Sequence, residues 1–220
     1  MLIPSIDLMG GKIVQLVQGT KKAMEFDNFE EWIERFSGYP LVQLIDLDAA
    51  MGTGNNRSLV QEMARRLPCQ VGGGIRSIES ARETLAVGAH RVILGSSLIS
   101  AGKINSDFAR EISEQLGAEK LVFAVDSLRG RVAIKGWKQA TDIKPDEMMR
   151  VLEPFCGAFL YTHIDTEGTL QGIPIDVVRS LRACTSRRFI AAGGIRSAEE
   201  IDALDQMGID AVVGMAIYQR

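Results

Sequence analysis

Eight short apolar runs, separated by seven stretches of helical periodicity, constrain this chain more than any other feature. The runs are Leu2–Ile6, Leu41–Ile45, Cys69–Val71, Val92–Leu94, Leu121–Val125, Ala158–Ile164, Phe189–Ala192 and Ala211–Val213. They are short and rich in Val, Ile and Leu, which suits strands covered on both faces of a parallel sheet. Between them lie the helix-like segments Phe29–Phe36, Ser58–Arg66, Ile78–Val87, Asp107–Leu116, Asp146–Phe155, Asp176–Ala183 and Ala198–Met207. Ser77 and Ser197 stand where N-caps belong, and Gly88 and Gly208 where helices stop. Eight strands alternating with helices predict a (β/α)8 barrel. Little follows the eighth run before Ile217-Tyr218-Gln219-Arg220, so the outer helix eight is expected to be short or missing.

The chain also repeats itself. Asp7-x-x-x-Gly11-Lys12-Ile13-Val14 returns 119 residues later as Asp126-x-x-x-Gly130-Arg131-Val132-Ala133. Leu44-Ile45-Asp46 returns at the same offset as His163-Ile164-Asp165. Gly73-Gly74-Ile75-Arg76-Ser77 returns 120 residues later as Gly193-Gly194-Ile195-Arg196-Ser197. The barrel is therefore expected as one domain over residues 1–220, built from two (βα)4 half-barrels of about 1–118 and 119–220. No linker or composition break interrupts it.

Composition narrows the partners. The chain has 220 residues, 46% hydrophobic, with a formal net charge of -3, so a basic nucleic-acid footprint is not expected. No apolar run approaches the ~18 residues of a membrane span. Three widely spaced cysteines and two histidines offer neither a disulfide framework nor a zinc cluster, so no metal is expected. The first residues lack a basic segment followed by a long apolar one. A cytoplasmic monomer acting on a small molecule is the default expectation.

Two constellations carry chemistry. Gly73 and Gly74 follow strand three, Gly95 and Ser96 strand four, Gly193 and Gly194 strand seven, and Gly214 strand eight. Glycine lets backbone approach a ligand, and barrels often bind phosphate after strands seven and eight. The repeat supplies a second such site, so the expected ligand carries a phosphate at each end. Arg76 and Arg196 follow these turns, and either could reach a phosphate. Asp7 ends strand one and Asp126 ends strand five, on opposite sides of the barrel mouth. Two acids facing one substrate suit general acid–base catalysis if their environments separate their pKa values. Thr162 near the end of strand six, with nearby acids, could orient a sugar. Trp137 could stack on a heterocycle or anchor its loop. His163 aligns with Leu44 and is read as packing or partly exposed; neither histidine has a nucleophile at triad spacing.

These residues resemble a known family. Ile3-Pro4-Ser5-Ile6-Asp7-Leu8 with Gly11-Lys12-Ile13-Val14-Gln15-Leu16-Val17-Gln18-Gly19 is close to its N-terminal signature. Gln70-Val71-Gly72-Gly73-Gly74-Ile75-Arg76, Val125-Asp126-Ser127 with Gly136-Trp137, and Gly168-Thr169-Leu170-Gln171-Gly172 match as well. The family is the histidine-biosynthesis isomerase acting on phosphoribosylformimino-5-aminoimidazole carboxamide ribotide. The resemblance implies an Amadori rearrangement of a bis-phosphorylated aminoaldose to the aminoketose, with no cofactor. It implies Asp7 as general base at the sugar C2 proton, Asp126 as general acid at the ring oxygen, and Thr162 as support for that acid. Substrate contacts are then expected from Gly73, Gly74, Arg76, Gly95, Ser96, Trp137, Glu167, Gly193, Gly194 and Gly214.

The chain departs from the family pattern at six places. Gly10 replaces an acid, Gln15 an arginine, Gln43 a histidine and Met215 a basic residue; Glu167 is one methylene longer than the usual Asp. The first loop, Thr20 to Asp27, is short. Three other readings stand beside the isomerase. One is a bifunctional relative that also takes phosphoribosylanthranilate. Another is the paralogous cyclase subunit, whose N-terminal signature differs. The third is a divergent sugar-phosphate-binding barrel without turnover.

Overall fold

Apolar strands buried on both faces must pair all their backbone groups with neighbours. In the computed structural model they do so in chain order. The structure describes residues 1–219; Arg220, the last residue of the expected second half-repeat, lies outside the described residues. The barrel strands are β1 (Leu2–Met9), β2 (Val42–Asp46), β3 (Cys69–Gly72), β4 (Arg91–Leu94), β5 (Leu121–Leu128), β6 (Ala158–His163), β7 (Arg188–Ala192) and β8 (Ile209–Val213). Each pairs in parallel with the next, and β8 pairs with β1, which closes the cylinder. Helices α1 (Phe29–Phe36), α2 (Arg57–Arg66), α3 (Ile78–Ala86), α4 (Ser106–Leu116), α5 (Pro145–Leu152), α6 (Ile175–Arg182) and α7 (Ala198–Gln206) alternate with them. This is the (β/α)8 barrel that the alternation predicts.

Strand alternation divides the core in two. Outward residues such as Leu44, Val71, Phe123 and Phe159 pack under the helices, while Ile3, Ile93, Val122, Leu160 and Ile190 fill the barrel interior. The expected caps form: Ser77 accepts from the Ser80 N–H at 3.2 Å and Ser197 from the Glu200 N–H at 3.4 Å. Each such cap is worth about 1 kcal/mol and sets where α3 and α7 begin. Helix α8 (Met215–Tyr218) is a single turn. Its Tyr218 ring packs on Trp32 and Phe36 of α1, and its hydroxyl donates to the Ser5 carbonyl at 2.9 Å.

Two expectations need correction. Thr20 to Asp27 is not simply a short loop: Lys21–Phe26 is a strand, paired antiparallel with Lys12–Val17. The repeat is also misaligned by two residues in β2 and β6. Asp7 lies opposite Ile45, and Asp126 lies opposite Thr162. Ile45 therefore corresponds to Thr162, Asp46 to His163 and Asp48 to Asp165. The loop contacts agree: Asp48 accepts from the Gly10 N–H at 2.7 Å, and Asp165 from the Arg129 N–H at 2.9 Å. The path from β5 to β6 is two residues shorter than its counterpart from β1 to β2. A shared Ile-Asp pair concealed the difference. His163 thus shares a turn-holding position with Asp46: Asp46 accepts from the Ala49 N–H at 3.1 Å, and His163 Nδ1 pairs with Thr166 Oγ1 at 2.9 Å.

Candidate active site

Parallel strands present their C-terminal ends on one side, and period-two alternation decides which side chains turn inward there. Asp7 on β1, Asp126 on β5 and Thr162 on β6 turn into one cavity at this mouth. The same cavity is lined by Gly73, Gly74, Arg76, Gly95, Ser96, Trp137, Glu167, Gly193, Gly194 and Gly214. All the catalytic and substrate-contact residues expected from the family resemblance therefore lie on one surface. Arg196 does not; its guanidinium turns to Glu200, 3.3 Å away.

The acids differ in their surroundings. Asp7 accepts from the Ser5 hydroxyl at 3.0 Å, but burial outweighs that bond and raises its pKa to about 6. Asp126 is also raised by burial, against two donors: the Trp137 indole N–H at 2.9 Å and the Thr162 hydroxyl. Glu167, on the loop after β6, is the third acid. Burial, reinforced by the charges of Asp7 and Asp126, raises it to about 8. A neutral Glu167 at pH 7 relieves repulsion among the acids and towards an anionic ligand. The sequence placed Glu167 among the substrate contacts and missed this electrostatic coupling, because a loop residue's neighbours are not legible from spacing.

The glycine turns are duplicated in geometry as well as sequence. Gly73 has φ +102° and Gly193 has φ +112°. A Cβ at Gly73 would run into the Asp46 carbonyl oxygen, and one at Gly193 into the His163 carbonyl oxygen. In each half the turn after the third strand thus lies against the backbone that ends the second. Arg76 donates to the Ala49 and Ala50 carbonyls at 3.3 and 3.1 Å, and is the only cation on the cavity lining among the described residues. Ser96 and Ser97, just after β4, also line the cavity.

Four loops meet over the mouth. The Gln18 N–H donates to the Glu167 carbonyl at 3.0 Å, and its side chain to the Asp165 carbonyl at 2.9 Å. The Lys135 N–H donates to Ser96 Oγ at 2.8 Å. Trp137 lies against Gly19, where no larger residue fits beside the ring. Two polar strand residues on the cavity lining were not counted among the site residues: Ser5, and Gln43, which was noted only as a departure from the family pattern. Their signal was legible: polar side chains at inward positions of otherwise apolar strands.

Comparison with known proteins agrees with this geometry. The family model described as histidine biosynthesis protein matches residues 1–220. A Methanocaldococcus jannaschii protein is 40% identical over 225 residues, covering 99% of this chain and 93% of its own length. Relatives from Methanococcus voltae and Methanosphaera stadtmanae are 36% and 34% identical, covering 100% and 99% of this chain and 93% and 94% of their own. All three are named 1-(5-phosphoribosyl)-5-((5-phosphoribosylamino)methylideneamino)imidazole-4-carboxamide isomerase. With the match running the full length of the barrel, this chain belongs to the histidine biosynthesis protein family.

Proposed function

We infer that this chain is an isomerase of histidine biosynthesis. It converts the bis-phosphorylated aminoaldose ribotide named in its relatives to the matching aminoketose. The observation that carries the reading is the placement of three acids, each with its pKa raised by burial, between two duplicated glycine turns. The turns hold the two phosphates and suspend the sugar across the mouth. An acid protonates the ring oxygen, the C1–O bond breaks, and the C1–N bond becomes an iminium. Asp7 then removes the C2 proton to give the enaminol. Protonation at C1 and loss of the hydroxyl proton yield the ketone. Atoms balance without a redox partner.

The resemblance gives the acid role to Asp126, supported by Thr162. Glu167, raised by burial to about 8, is a second candidate for that acid. The two assignments separate experimentally. Wild type should convert the ribotide. Asp7→Asn and Asp126→Asn should lose about 10²–10⁴-fold in kcat while still binding it. A Glu167→Gln loss as large as that of Asp126→Asn gives Glu167 a share in the acid step. Wild-type binding without conversion would replace the isomerase with a sugar-phosphate-binding barrel. Phosphoribosylanthranilate in the same assay tests the bifunctional alternative. A cytoplasmic monomer remains part of this reading. None of the described helices is long and apolar enough to cross a membrane.

A further inference from the structure

The barrel interior is apolar over most of its depth, filled by side chains such as Ile3, Ile93, Val122, Leu160 and Ile190. One polar path crosses it. Arg91, at the start of β4, donates from Nη2 to Gln70 Oε1 at 2.9 Å. Gln70, fully buried on β3, donates from Nε2 to Gln43 Oε1 at 2.9 Å. Gln43, 7% exposed on β2, lines the cavity floor beside Ser5, its register partner on β1. Buried amides of this kind destabilise a core unless each is satisfied, so this row calls for an explanation beyond packing.

The path has a direction. Arginine has only donors, so Gln70 must turn its carbonyl oxygen towards Arg91. The Gln70 amide nitrogen then faces Gln43, which must answer with its own oxygen. The Gln43 NH2 is left over. A cation at the base of the barrel thereby decides which end of an amide the pocket floor presents. Arg91 keeps its charge for this purpose: desolvation and the nearby Arg188 lower its pKa only to about 10.

We propose that the Arg91–Gln70–Gln43 row is an orienting relay that presents a fixed N–H donor at the cavity floor to a hydroxyl oxygen of the sugar. Gln43 is the binding residue; Gln70 and Arg91 are positioning residues that act through it. The ligand class rests on the proposed function, but the direction of the relay does not.

The test combines kinetics with NMR of glutamine side-chain amides. Gln43→Leu is expected to raise KM for the ribotide about tenfold, the effect of one lost hydrogen bond, with a smaller change in kcat. Gln70→Leu should raise KM by a similar factor, because Gln43 is then free to turn. In the Gln43→Leu background Gln70→Leu should add nothing. A merely structural role for Gln70 would instead multiply the two losses, and that result would overturn the relay. So would a Gln43→Leu enzyme within about twofold of wild type in KM. Should these variants fail to fold, Asp7→Asn protein saturated with the ribotide decides. The Gln43 NH2 resonances must shift on binding, and unmoved resonances refute the contact. If the protein binds no ribotide, the proposed function fails while the relay remains testable. Arg91→Met must then split or broaden the Gln43 NH2 resonances of the ligand-free protein, and an unchanged single pair refutes the relay.

Discussion

Replacing Glu167 by Gln removes a titrating proton and little else, since the two side chains have nearly the same shape. Glu167 titrates at about 8 in the folded protein against an ordinary value of 4.5. Below 4.5 both folded and unfolded chains hold the proton. Between 4.5 and about 8 the unfolded chain has released it while the folded chain has not. Stability therefore falls as pH rises through this window, with a slope of up to 1.36 kcal/mol per pH unit. Across the whole window the ceiling is about 5 kcal/mol. Glu167 is only partly hidden from solvent, which reduces the expected loss to about 2–3 kcal/mol. The glutamine variant carries no such loss. In urea unfolding at pH 5 and pH 8, its stability relative to wild type should improve by about 2 kcal/mol between the two conditions. In heating experiments that is roughly 4–8 °C in Tm. A relative stability that stays constant within about 0.5 kcal/mol would show that Glu167 is ionised in the folded protein, and the argument for it as a proton donor would fall.

Other outcomes follow from the same geometry. The kcat/KM profile should rise through about 6 as Asp7 ionises; a fall through about 8 that moves or vanishes in Glu167→Gln gives Glu167 a share in the acid step, and a fall unchanged in that variant leaves the step to Asp126. Trp137→Phe removes an N–H donor from Asp126, so the Asp126 pKa should rise further, detectable by carboxyl ¹³C titration of the two proteins. Gly193→Ala should destabilise the protein by about 2–4 kcal/mol in urea unfolding, because its Cβ meets the His163 carbonyl at a positive φ.

The sequence by itself determined the barrel. Alternating apolar runs and amphipathic segments are local patterns, and eight parallel strands bury both faces only by closing under a ring of helices. It also identified the two opposed aspartates and the duplicated glycine turns, because strand ends in a barrel all face one mouth. It misread what depends on distance between elements. The His163-Ile164-Asp165 match looked like a repeat of Leu44-Ile45-Asp46, and only strand register showed that His163 stands where Asp46 does. Likewise, Glu167 is one acid in a loop until folding brings it beside Asp7 and Asp126 and partly out of water. Gln43, Gln70 and Arg91 are single polar residues on three strands until the sheet sets them side by side. Side-chain type and periodicity are written along the chain. Proton affinity and hydrogen-bond direction depend on neighbours that only the closed barrel assembles.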